Sequence, residues 1–583
     1  MTTPCNRFSL LVAAALLLIT LQGSSFAASA TWARNPTTGE WNTAANWSPQ
    51  TVPNSTTDIA TFDASNVTNV SVGFGSIINL DSAVFNSGAP SYTIALDVSN
   101  LILNGSGLVN NSGSVQSVVI PEQGNLAGGL FFFNSASAGN MTNYSSVGGL
   151  FDFEDSASAG SATFDFSSGQ GTMLFSDSST AGDATVNASA GADITFLDSS
   201  TGGNAIVNLS SAALVDVPGS FNAEHITINC IGGNQSLGSA VYLEGFSNAG
   251  EGTFTAVGGS TMGEHGGYIQ VDNQATADHA TFIIGGGLGA GLNSGILVFL
   301  QTATAANASI TANGGVDGSL GGLVVFADKS KGGKASITLN GNSELDISDR
   351  NTGVTIGSLA GQGTIYLGSN TLTIGSNNQS TIFSGVIEEN GGVNKSGTGT
   401  LTLSGANTYT GTTTVSGGVL NVANKSGSAT GSAEVKVNTG TVGGSGIIAG
   451  ATTIGTGSGT GAFLSPAIGT NKQAALTIQS ALTFNSDATY TCTFKAKKNK
   501  AKADQVIANG VTINGAAVNL VGQTQGSLKR GLRLTLISNT SANPINGTFN
   551  NLPDGGIVTI NGNNFQASYK GGDGNYLTLT VVP

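Results

Sequence analysis

Residues 132–141 read FFNSASAGNM, and three later blocks align with them without gaps: FEDSASAGSA (153–162), FSDSSTAGDA (175–184) and FLDSSTGGNA (196–205). Their spacings are 21, 22 and 21 residues. A second set keeps the template at spacings of 28, 28 and 27: LEGFSNAGEG (243–252), VDNQATADHA (271–280), FLQTATAANA (299–308) and FADKSKGGKA (326–335). Position one is apolar. Position three is usually Asn, Asp or Gln, with Gly245 as the exception. Positions five and seven are small or hydroxylated, and a short alternating strand pattern follows, as in ATFDF and ATVNA. One such unit cannot bury its own apolar side, so units of this length must stack. The repeats predict an all-β chain, a right-handed parallel β-helix (solenoid) with N- and C-terminal caps. About twenty coils would make a rod on the order of 100 Å long. A propeller blade needs about 40 residues or more, so the 21-residue period counts against that fold.

Composition agrees. Gly reaches 86 of 583 residues while Pro is 11, and no segment beyond residue 27 combines helix formers with a 3.6-residue period. The start reads as an export signal over residues 1–27, with one Arg, the apolar run FSLLVAAALLLITL and small residues before a cut after Ala27. The chain is therefore expected to be exported, to the cell surface, the extracellular space or the periplasm. Residues 32–63 hold all three Trp residues, Trp32, Trp41 and Trp47, and read as a cap covering the open edge of the stack. Cys230 and Cys492 each sit in an alternating apolar stretch and read as small buried side chains.

Charge is unevenly placed. From Asn35 to Asp328 there is no Lys or Arg against 23 Asp and Glu, a section that should repel nucleic acid and anionic lipid. Five lysines crowd into KAKKNKAK, Lys495 to Lys502, read as a solvated loop or a patch that docks an acidic surface. Stacking would place Asp155, Asp177 and Asp198 at one corner, roughly 5 to 10 Å apart. They form a solvated carboxylate ladder or a weak Ca²⁺ row, and the Asn and Gln members of the series suit an amide ladder along the same corner. No other metal site and no cofactor is indicated. His225, His265 and His279 are scattered, and the best carboxylate pair is Asp152 with Glu154, two apart on one strand face. GGDGNYLTL (571–579) has Tyr576 where a Ca²⁺ nonapeptide needs Asp, and reads as a hairpin turn. A polysaccharide lyase needs a cationic group that the long acidic section cannot supply. No catalytic residue is assigned, and the chain is read as a non-enzyme.

GVIEENGGVNKSGTGTLTLSGANTYTGTTTVSGGVLNV (385–422) closely resembles the autotransporter-associated β-strand repeat, or passenger-associated transport repeat. The matching features are Lys395-Ser396-Gly397, Gly399 through Leu403, SGANTYTG (404–411) and Gly418 to Leu420. WNTAANW (41–47) and the tail from Asp504 are similar to the flanks of exported proteins carrying it. The resemblance implies a β-helical passenger whose repeat is associated with secretion and folding at the cell surface. No run of amphipathic strands with aromatic girdles follows, so no own membrane barrel is expected. Separate secretion machinery, or retention in the periplasm, is the implied route. The expected organisation is a leader (1–27), a cap with first coils (28–100), the repeat body (101–375), the transport repeat (376–425) and C-terminal coils with a cap (426–583). The expected role is structural or adhesive. The alternative is a polysaccharide-binding or polysaccharide-degrading protein using a groove along one face, with a surface or extracellular glycan as partner.

Overall fold

A computed structural model describes residues 28–583 apart from 122–127, 169, 233–237, 262–263, 351 and 469–471; the leader lies outside the described residues. Helix among them is confined to one 3-10 turn, Ala44–Asn46. The rest is a parallel β-helix. Four-residue strands recur because each coil supplies two inward apolar side chains alternating with two outward ones. Sheet 1 stacks strands from Ala30–Trp32 to Val386–Glu388. Sheet 2 runs nearly the whole length, from Asn69–Val72 to Ala517–Gln525. Sheet 3 begins only at Val354–Ile356 and ends at Val511–Ile513. Sheet 4 starts at Ile447–Ile448 and closes the C-terminal end with antiparallel strands Ile557–Ile560, Asn563–Gly571 and Tyr576–Val582.

The template residues now have positions. Position one is the last inward residue of a sheet 1 strand, and Phe132, Phe153, Phe175 and Phe196 stack at 4.6, 4.9 and 4.8 Å between ring centroids. That spacing is the strand spacing, so the aromatic column follows from register. Position six makes a single-residue bridge, running Ser137, Ser158, Thr180, Thr201, Asn222, Asn248, Thr276, Thr304 and Lys331. The turn on each side of it is left-handed. Position three has φ of 58° at Asn134, 56° at Asp155, 54° at Asp177 and 51° at Asp198. Position eight has φ of 62° at Gly160 and 59° at Gly182. Asn, Asp and Gly fill most of these columns because other side chains cost about 1–2 kcal/mol there, with Glu224, Gln301 and Ala306 as the exceptions.

The bridge column also holds a copy that sequence alignment did not include. Val217–Leu243 is one coil, with Asn222 in the bridge column and Phe221 against Phe196 at 4.6 Å. It departs from the template because Pro218-Gly219 replaces the third-position Asp and Phe221 replaces the small fifth residue.

The longer period has one cause. The connector from sheet 2 to sheet 1 spans residues 189–192 in a short coil and 285–295 in a long one. The added residues form loops with pinched ends, as where Gly295 N–H donates to Gly285 C=O at 2.8 Å. At the N-terminal end Trp32, Trp41 and Trp47 are at most 1% exposed, with rings 5.1 and 4.8 Å apart, and they pack on Phe62. They are core of the cap, as their clustering suggested.

Candidate functional site

The outward column just before template position one runs down sheet 1: Phe131, Asp152, Leu174, Thr195, Asp216, Tyr242, Gln270. Most of the chain's perturbed acids lie on this face. Asp152 stands between Phe131 and Leu174 and is 7% exposed, and its Oδ1 has no hydrogen-bond partner. Burial, reinforced by the neighbouring Glu154 charge, pushes its carboxyl up to about 7. Glu154 is raised by burial and then by Asp177 and Asp155. Asp152 and Glu154 therefore share a face, as their spacing required.

Further along, the long loops wall a groove of about 530 Å³ lined by Tyr242, Tyr268, Gln270, His265, Leu323 and Glu344. The two tyrosine rings lie 6.0 Å apart at 53°. Tyr268 Oη donates to Gln270 Oε1 at 2.8 Å, and Gln270 Nε2 donates to Asp272 Oδ2 at 3.2 Å. Asp216 is raised by burial, and Glu244 by burial followed by the charges of Asp216 and Asp272. Half-buried rings beside fixed amide and carboxyl groups can hold a flat, hydroxylated ligand. Sequence reading singled out none of Tyr242, Tyr268 and Gln270. Their signal was polar or aromatic outward residues in the strands AVYL and YIQV, whose counterparts in ILVF and LVVF are aliphatic.

The corner ladder does form. Asp155, Asp177 and Asp198 are exposed and each accepts a backbone N–H of the coil before it: Asn134 N at 2.8 Å, Asp155 N at 3.2 Å and Asp177 N at 3.3 Å. The carboxylates thus close left-handed turns. Among the described residues no group of three or more His, Cys, Asp or Glu is gathered closely enough to hold a metal ion. The amide ladder expected at this corner lies instead on the outer face of sheet 2, where Asn229, Asn208 and Asn187 each donate to the coil before, ending at Asp165. At the corner the left-handed turn of Asn134 aims its amide at backbone, where Nδ2 donates to Asn104 C=O.

The remaining candidates fall apart spatially. His225 lies 3.6 Å from Glu251 and His279 lies 2.8 Å from Asp278, each an exposed local pair, while His265 is in the groove. Cys230 and Cys492 are buried and unpaired with each other. Residues 571–576 turn the last hairpin.

SGANTYTG occupies the place where sheet 1 has ended and sheet 4 has not begun. Asn407 bridges the gap: its Oδ1 accepts Ile387 N–H at 2.8 Å and its Nδ2 donates to Ala429 C=O at 2.6 Å. Tyr409 is fully buried, with Oη 2.6 Å from Thr413 Oγ1. Gly405 must be glycine, since a Cβ would stand 1.9 Å from Gly385 O. Lys395 turns inward, 1% exposed, and its Nζ donates to Ser396, Gly397 and Gly417 carbonyls, tying two coils together. Burial lowers its ammonium to about 8.

This stack, with one specialised coil at a change of sheets, is a parallel β-helix. The family model described as passenger-associated-transport-repeat matches residues 393–422, so the chain carries that repeat within its β-helix. Such a repeat marks an exported or cell-surface protein. No curated protein matches the chain.

Proposed function

We propose that this chain is an exported rod of the cell surface or extracellular space, with a structural or adhesive role and no catalytic one. The observation that carries the reading is the transport repeat built into a continuous stack as the coil that joins two sheet systems. The rod displays long polar faces, and the buried volume is spent on stacking. The periplasm is the other compartment to examine. Fractionation with protease shaving of intact cells tests this. Accessible protein outside the cell is expected; protein confined to the cytoplasm overturns it.

A second reading, glycan binding along sheet 1, is favoured by the Tyr242–Tyr268 groove. Neutral polysaccharide binding lost in Tyr268→Ala would support it. Glycan turnover abolished by Asp216→Asn would instead make the rod an enzyme and remove the non-catalytic reading. A Ca²⁺ role for Asp155, Asp177 and Asp198 predicts a melting temperature lowered by chelator, and an unchanged one removes it.

A further inference from the structure

The groove on sheet 1 has a direction. Leu214, Ala240, Tyr268, Ile296, Leu323 and Glu344 are register partners on successive coils, and all of them line it. Five strand spacings separate the first from the last, on the order of 24 Å. The groove therefore runs along the rod axis and suits a chain better than a compact molecule. One wall is made by the loops that carry His265, Asn293 and Leu320. They stack as the coils do, with Leu288 N–H donating to Gly259 C=O at 2.9 Å and Val316 N–H to Gly287 C=O at 3.0 Å.

The floor is a sheet face whose main chain is already paired coil to coil. An extended peptide docks by adding hydrogen bonds at a free sheet edge, which this face does not offer. It offers side chains instead: the Tyr242 and Tyr268 rings, then half-buried Ile296 and Leu323. Such a surface takes the C–H face of a sugar ring.

The charge on this face has one sign. The two outward columns from Leu214 to Glu388 contain Asp216, Glu344, Asp346 and Glu388, and no Lys or Arg. Asp216 stands directly beside Tyr242 near one end of the groove, and Glu344 directly beside Leu323 at the other. Asp216 accepts the Val217 N–H, and Glu344 accepts the Tyr366 hydroxyl. A carboxylate has about four acceptor positions, so each can take a further donor. Burial raises both carboxyls; at Glu344 the Tyr366 bond opposes the rise, and the charges of Asp346 and Glu388 add to it. A cation in the groove would relieve this strain on the charged forms, whereas an acidic sugar would increase it. A positive charge over a tyrosine face gains from the ring as well.

We infer that the groove holds a glycan chain of amine-bearing sugars laid along the rod axis, with ring faces on Tyr242 and Tyr268 and ammonium groups toward Asp216 and Glu344. The inference rests on the glycan reading of sheet 1 and names its sugar class.

Calorimetry of the purified chain with chitosan oligomers, the same oligomers N-acetylated, and oligogalacturonate tests this. Chitosan oligomers are expected to bind at least about tenfold more tightly than the acetylated ones at low salt, and to lose most of that advantage at about 500 mM salt. Oligogalacturonate should not bind. E344Q and D216N should each lower chitosan affinity about three- to tenfold and leave binding of the acetylated oligomers unchanged. Y268A should weaken both, with the circular dichroism of the parent, while Y268F, which keeps the ring, should not. D155N/D177N removes charge from the exposed corner outside the groove and should bind like the parent. Acetylated oligomers that bind as tightly as chitosan overturn the inference and leave the glycan reading standing. No binding of any oligomer removes both. A corner variant that loses as much affinity as E344Q makes the effect general charge attraction and overturns the inference, as does a parent that takes oligolysine but no amino sugar.

Discussion

The coils over residues 129–339 and those over residues 354–513 solve the same problem differently. The first group has two sheets joined by a one-residue bridge between two left-handed turns. The second replaces the bridge with sheet 3, whose strands of three or four residues, such as Val354–Ile356 and Thr371–Ile374, make a full third side. A one-residue side uses a left-handed residue at both ends in nearly every coil, which favours Asn, Asp or Gly in fixed columns. A strand-length side needs only alternation. Demanding corners are therefore what makes a repeat visible in sequence, and regular strands are what hides it. The two groups also differ in what they bury: stacked Phe and Ala in the first, and polar ties such as Asn407 and Lys395 in the second.

The largest expected effect falls at the junction. Asn407→Ala leaves Ile387 N–H and Ala429 C=O without partners at a buried site, at about 2–4 kcal/mol for two orphaned groups. Hydrogen exchange should show protection lost around residues 385–430 and retained in coils 129–339, since repeat stabilities couple mainly to neighbours. Equal loss in both groups would erase the proposed boundary.

Next comes pH in the first group. Asp152 titrates near 7 when folded and near 3.8 in its ordinary state. The folded chain thus holds the proton more tightly, and stability falls as pH rises from about 4 to about 7. Asp152→Asn should remove that slope and raise stability at pH 8 by about 2–4 kcal/mol, read as a melting-temperature gain absent at pH 4. In the second group Lys395 titrates near 8 when folded, below its ordinary 10.5. The unfolded chain holds that proton more tightly, so stability rises with pH between about 8 and 10.5, and Lys395→Met should flatten the rise.

The smallest effect sharpens the corner argument. Asp177→Ala places Ala at a φ of 54° and removes the acceptor for Asp155 N–H, costing about 1–2 kcal/mol. Asp177→Asn should be nearly neutral in the same denaturation measurement.

How much of this was legible follows from the same contrast. Phe132, Phe153, Phe175 and Phe196 gave the coil and its register because one column demands one residue type. The coil at Val217 was hidden by Pro218-Gly219 and Phe221, although the interval from Phe196 to Leu243 is two coils long. The acids Asp155, Asp177 and Asp198 were readable as a ladder, but their bonding to backbone N–H groups depends on a left-handed turn that composition does not show. The groove was not readable, because Tyr242 and Tyr268 come together only when separate coils dock and the long loops fold beside them. The role of Asn407 was beyond reach for a related reason: it replaces main-chain pairing that the reader must first know is missing.

The corner bonds also give the molecule a direction. Asp155 serves Asn134, Asp177 serves Asp155 and Asp198 serves Asp177, always reaching back by one coil. Each of these turns is finished by sequence that follows it, so a chain emerging from its N-terminus would lock them one step late, like a zip whose teeth close behind the slider.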